Sequence, residues 1–331
     1  MFGLRARATA AWRRVRRWVL LEGSRWTVAL AVLAAIAVAV GPVGHLFTTG
    51  APTEHGHTVT STVSTLLSGN FLLISIVVSV SSVFATQEQS PLGQQFGRVQ
   101  DVVEFRRSLE GVIDHDHAPA DPGRLLRLLV GDILERAQAL EASLADADVE
   151  LRADLQAYVE TLGEESGAMN QRLDHSDGGE TLTLLLATLD YDHDRQINDL
   201  RRIRAEHGDS MPEAADETIE EMLRLLQYLA ALREYFKTQY LRETFADLSR
   251  DLVFLSVPSI VVVSFVLLHF ERLPSTEPFI VAIHVLSLTP ATLLGAYIVR
   301  VAAVSKRTRA AGQFAVSDDD GTDGIPRSGN D

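Results

Sequence analysis

Apolar positions along the chain follow two patterns. Four stretches, 27–47, 62–86, 252–270 and 279–299, are apolar almost throughout and nearly free of charge. Between the second and the third, apolar residues recur at steps of three and four among charged ones. A bilayer core about 30 Å thick is crossed by about 20 apolar residues in a helix. The first pattern therefore predicts membrane spans, and the second predicts amphipathic helices in water. The expected fold is all-α: an integral membrane protein with four transmembrane helices in two hairpins and a cytosolic helical-bundle domain inserted between them. The expected parts are a basic amphipathic segment 1–26, a first hairpin 27–86, the helical domain 87–250, a second hairpin 251–299 and a polar, disordered tail 300–331.

Local signals divide the parts further. Gly41-Pro42-Val43-Gly44 is expected to break or kink the end of the first span, and Pro91 to bend the chain after the second. The inserted domain reads as helices over 92–113, 121–144, 149–173 and 181–206, with a fifth opening at Pro212. In the first of these Phe96, Val99, Val103, Phe105 and Leu109 supply the apolar side. Asp121-Pro122 is a helix start, Asp as N-cap and Pro at the first position. The fifth helix has no Gly or Pro from Glu213 to Ser256. It is expected to feed directly into the third span, with Pro258 as a kink. Such a rod either transmits motion or is simply a long bundle helix.

Charge sets the orientation. Arg5, Arg7, Arg13, Arg14, Arg16, Arg17 and Arg25 precede the first span; Arg300, Lys306, Arg307 and Arg309 follow the last. The segments 48–61 and 271–278 between paired spans hold one basic residue, Arg272. The positive-inside rule places both termini and the inserted domain in the cytoplasm of a multi-pass cell-membrane protein. Trp12, Val15 and Val19 face away from Arg13, Arg14 and Arg17, as in a helix lying on anionic lipid. A cleaved signal is the competing reading of this end, but Glu22, Ser24 and Arg25 interrupt its apolar continuation. The net charge is −14, with 44 acidic residues against 30 basic ones and lysine only at 237 and 306. That is the composition expected in concentrated salt, as in halophilic archaea, where screening over about 3 Å at 1 M suppresses self-repulsion. It argues against a nucleic-acid partner, which requires a basic face. Cysteine is absent, which excludes disulfides, thiolate metal sites and a Cys nucleophile.

Candidate chemistry concentrates in the spans. In the second, Ser61, Thr65, Ser68, Leu72, Ser75, Ser79, Ser82 and Thr86 recur at alternating steps of four and three. This 3.5-residue repeat keeps one seam facing a partner in a left-handed bundle. Hydroxyl seams either pack helices closely or line an aqueous path in an oligomer. Asn70, off the seam, is an intramembrane polar group that needs a partner. In the fourth span Ser287, Ala291 and Gly295 form a row of small residues, with His284 nearby as an ion or proton site or as a His reaching the outer interface. Asp114-His115-Asp116-His117, the run Asp190–Asp194 and the pair His55 and His57 carry ligand-type side chains without a recognised metal spacing, and no metal is assigned to them. No phosphate loop, nucleophile elbow or H-E-x-x-H is present, so neither a catalytic residue nor a cofactor is implied.

The order of parts resembles the bestrophin-like anion channels: basic N-terminus, two spans, a cytosolic helical domain, two more spans. The resemblance implies a ring of identical subunits whose second span lines the pore, and here the Ser61–Thr86 seam takes that place. Two functions follow as alternatives. One is an oligomeric ion channel lined by the seam; the other is a non-conducting membrane protein whose cytosolic domain binds a partner or senses a state.

Overall fold

The computed structural model describes residues 24–43, 56–88, 91–113, 118–174, 180–208, 211–273 and 276–307. Among them the chain is all-helical, as the periodicity predicts. Helix α1 (Arg25–Val38) starts at Ser24, whose hydroxyl accepts the Thr27 N–H at 3.1 Å. It ends in a π-helical turn, Ala39–Val43, that contains Pro42. The expected break falls here, because proline cannot donate to the preceding turn. Gly41 in this turn is buried, and a Cβ on it would stand 3.3 Å from Val281 Cγ2. The small residue lets the turn approach the last helix.

The chain continues through α2 (Gly56–Glu88), α3 (Leu92–Glu110), α4 (Pro122–Ser143), α5 (Val149–Asp174), α6 (Thr181–Leu189) and α7 (His193–His207). It closes with α8 (Glu213–Leu268), a 3₁₀ turn Phe270–Arg272 and α9 (Glu277–Arg307). Four helices are long and apolar enough to cross a membrane: α1, α2, α8 and α9. Each overlaps one predicted stretch; the tail beyond 307, the segments 1–23 and 44–55 and the cluster 114–117 lie outside the described residues.

Helix α8 organises the molecule. Its 56 residues correspond to a rod of about 84 Å at about 1.5 Å per residue. Pro258 does not interrupt it. The first part of the rod packs on α4, α6 and α7, and the apolar end packs on α2 and α9. Ile219, Met222, Leu226, Leu229, Phe236 and Tyr240 are buried along it, joined by Leu126, Leu129 and Ile133 of α4 and by Leu155, Leu162 and Met169 of α5. A second core, with Ala29, Val77, Leu252, Leu293 and Tyr297, ties α1, α2, α8 and α9 together. A third holds Val63, Val263, Val266 and Ile283.

Two sequence expectations change. The helix predicted over 181–206 is two helices, broken at Asp190–Asp192. Asp192 accepts the Arg195 N–H at 3.2 Å and starts α7 as its N-cap, while Arg172 forks onto the Asp190 carboxylate and holds the corner. In α3, only Leu109 is buried and Phe105 half-buried; Phe105 meets the Tyr228 ring edge-on at 5.3 Å. The stripe before them stays open, with Leu92 at 84%, Phe96 at 70% and Val99 at 62% exposure.

Candidate functional site

Helix α2 has two faces of different chemistry. Val63, Asn70 and Val77, at steps of seven, are buried against α8 and α9. Ser81 continues that face and is hydrogen-bonded to Ser249 of α8 at 2.6 Å. The opposite face carries the hydroxyl seam. Ser61, Thr65, Ser68, Ser75, Ser79 and Ser82 are all exposed, as is Leu72 among them. Thr86 belongs to the same helix, with its side chain outside the described residues. Packing inside the subunit therefore does not use the seam. Its hydroxyls turn back on their own helix: Thr65 donates to the Ser61 carbonyl at 3.0 Å, Ser68 to Ser64 at 3.1 Å, Ser79 to Ser75 at 2.9 Å and Ser82 to Ser79 at 2.8 Å. The proton is spent on the backbone, and the oxygen lone pairs remain for whatever meets this face.

The polar residues of the long apolar helices divide differently from the sequence grouping. Asn70 Nδ2 donates to the Ser287 carbonyl at 3.1 Å. Ser259 donates to the adjacent Leu286 carbonyl at 3.0 Å. Pro290 explains the cluster: it has no N–H for the carbonyl four residues earlier, Leu286, and the side chains of α2 and α8 supply donors to this opened turn. The Ser287 hydroxyl is buried and finds no hydrogen-bond partner among the described residues. His284 stands apart, half-buried, with Nδ1 2.9 Å from the Ile280 carbonyl of its own helix.

Where α1, α8 and α9 meet the helical domain, a charged network joins them. The Arg25 guanidinium donates to Asp247 Oδ2 and Thr244 Oγ1, both at 3.2 Å, and stacks over the Tyr297 ring at 4.5 Å from its centre. Tyr297 donates to Asp251 at 2.8 Å, and Arg250 pairs with Asp247 at 3.2 Å and Asp251 at 3.3 Å. In the sequence Arg25 stands out as part of the basic flank and as an interruption of the apolar run that a cleaved signal would need. Its partners were readable as charges in the last turn before an apolar run, but nothing local says that they meet residues about 220 positions away.

The Asp190–Asp194 run is not assembled for a metal. Asp190 is occupied by Arg172, Asp192 caps α7, and His193 Nδ1 lies 3.1 Å from a guanidinium nitrogen of buried Arg233. His193 Nε2 faces Asp194 at 3.5 Å. Burial holds His193 below its ordinary pKa; Asp194 pulls it back up in part, and Arg233 pushes it further down. Among the described residues, Asp154, Glu206 and His207 bring ligand-type atoms within 4.8 Å of one another. Arg202 already sits on both carboxylates, 3.4 Å from Asp154 and 3.1 Å from Glu206.

The model of a family of unknown function, DUF7972, matches residues 4–327, so the chain belongs to that family. No curated protein and no solved structure matches it.

Proposed function

We propose that this member of the DUF7972 family is a four-span membrane protein that assembles with copies of itself into an ion channel lined by the hydroxyl seam of α2. In this reading α1 with α2 and the end of α8 with α9 are the two hairpins. The helices from α3 to the first part of α8 form the domain inserted between them, and the Arg-rich flanks put that domain and both termini in the cytoplasm. The observation that carries the reading is the free face of α2. Six hydroxyl positions and Leu72, from Ser61 to Ser82, run the length of a span and stay exposed within the subunit. A hydroxyl face turned to lipid gains little, whereas in an oligomer it lines water or meets its own copy.

The chemistry of the seam bears on the ion. Thr65, Ser68 and Ser79 direct their hydroxyl protons to backbone carbonyls, so oxygen lone pairs face outward. Lone pairs coordinate cations and accept from water. The resemblance to bestrophin-like channels implies anions instead. Tracer flux and reversal potentials of the purified protein in liposomes under a salt gradient test both points. Conduction with a cation-selective reversal potential supports the reading, and tight liposomes containing the assembled protein contradict it.

The alternative, a non-conducting membrane-anchored protein acting through its helical domain, draws on a different observation. The open stripe on α3, Leu92, Phe96, Val99 and Val103, is apolar and exposed beside an acidic chain. Large apolar patches on the part of a protein that meets water mark a docking surface. An assembly held by α3 without flux favours this second function.

A further inference from the structure

A cleft of about 500 Å³ opens beside the Arg25 network, lined by side chains of α1, α8 and α9 and by the start of α6. Three helices cross one level here. The helix α1 begins at Arg25, α8 enters its apolar run after Asp251, and α9 leaves its own at Arg300. In a bilayer this level is the headgroup layer on the side of the helical domain.

The donors and acceptors of the cleft are unevenly spent. Asp247 and Asp251 are taken by Arg25, Arg250 and Tyr297. Glu243 accepts from Thr181 and from Gln239, each at 2.9 Å, and Glu180 accepts from Thr183 at 3.5 Å. On the donor side, Tyr240 lines the cleft and is 2% exposed, yet its hydroxyl has no hydrogen-bond partner among the described residues. A buried hydroxyl left unmade is costly, which points to a partner that the protein itself does not provide. Arg250, whose side chain is 61% exposed although it pairs with Asp247 and Asp251, lines the same cleft. Trp26, exposed at its edge, is the residue type that lies at the level of lipid headgroups.

We infer that this cleft binds the phosphodiester of a membrane phospholipid. Its oxygens accept from the Tyr240 hydroxyl and from the Arg250 guanidinium beside its pairs with Asp247 and Asp251, while the glycerol lies along Trp26 and the acyl chains run down the exposed side of α1. Guanidinium groups suit phosphate because their parallel N–H donors match its oxygens. A bound lipid would join the first span, the rod α8 and the last span at the point where the helical domain meets the membrane. The inference rests on these helices crossing a bilayer and does not depend on conduction, so a protein that carries no flux leaves it standing.

The test uses the full chain in a phosphate-free maltoside detergent. Dihexanoyl phosphatidylglycerol, dihexanoyl glycerol and inorganic phosphate are each titrated while the unfolding temperature is followed. A saturable rise with the phospholipid, absent with the other two, is expected. Tyr240→Phe keeps the ring and deletes only the unpartnered hydroxyl, and Arg250→Gln removes an exposed guanidinium. Without lipid, Tyr240→Phe should unfold no lower than the parent, and Arg250→Gln should shift the midpoint only by the loss of its exposed pairs with Asp247 and Asp251; each should bind the phospholipid about tenfold more weakly, as loss of one hydrogen bond to a charged group implies. Equal affinity in parent and both variants, or no saturable rise, overturns the site. An equal rise with inorganic phosphate overturns the lipid source and assigns the cleft to a soluble phosphate.

Discussion

Replacing Asn70 by Leu would take the side-chain donor from the Ser287 carbonyl inside the apolar part of the molecule. Interhelical hydrogen bonds of this kind contribute about 0.6–2 kcal/mol, so Asn70→Leu should lower unfolding stability in detergent by that order. An unchanged unfolding midpoint would show that the opened turn before Pro290 needs no side chain from α2. His193 makes a pH prediction. Its folded-state pKa is lowered, by burial first, so the native state favours the neutral ring. Its contribution is present above the ordinary value of about 6.5 and is lost as pH falls through the depressed value. The parent should therefore lose stability below about pH 6.5 more steeply than His193→Gln, whose amide can still accept from Arg233; parallel pH profiles would refute this. Asn70 was legible as a polar residue needing a partner, because an amide in an apolar stretch must be satisfied there. The role of His193 was not, because Arg233, the group that sets it, lies 40 positions away on another helix.

At the scale of elements, the spacing of apolar residues predicted every long helix but not what each face meets. A 3.5-residue seam reads the same whether it packs inside a subunit or outside it. What separates the two in α2 is the opposite set, Val63, Asn70, Val77 and Ser81, in which a polar pair hides among apolar residues. The corner between α6 and α7 was missed for a related reason. Asp190-Tyr191-Asp192-His193-Asp194 invites a ligand reading, yet Asp192 serves as a helix cap and Asp190 as an anchor for Arg172. Helix α3 was readable as amphipathic; that its subunit leaves Leu92, Phe96 and Val99 open was not, because no local pattern says which partner covers a stripe. If a second copy covers it, Phe96→Glu should convert the assembly to smaller species in light scattering while the far-ultraviolet circular dichroism stays helical. An unchanged mass would remove α3 from the interface.

For the whole molecule, one rod, α8, carries both the helical domain and the third apolar run, and the Arg25 network fastens α1 and α9 to it at the junction. A change in the domain can therefore reach the apolar helices through one continuous helix, and a change at the junction can reach them through Asp247 and Asp251. That arrangement suits a gated path, and the path itself is the central claim. Because the chain has no cysteine of its own, single cysteines report cleanly. The most direct measurement is the rate at which a water-soluble thiol reagent modifies cysteines at Ser75, Ser79 and Ser82, compared with Val77 and Val78, in liposomes with flux recorded in parallel. Val77 is buried within the subunit, and Val78 is exposed but off the seam. The account predicts fast modification at the three seam positions, with flux blocked by a bulky adduct, and slow modification at both valines. Slow modification at all five positions, in a protein that carries no flux before treatment, would contradict it.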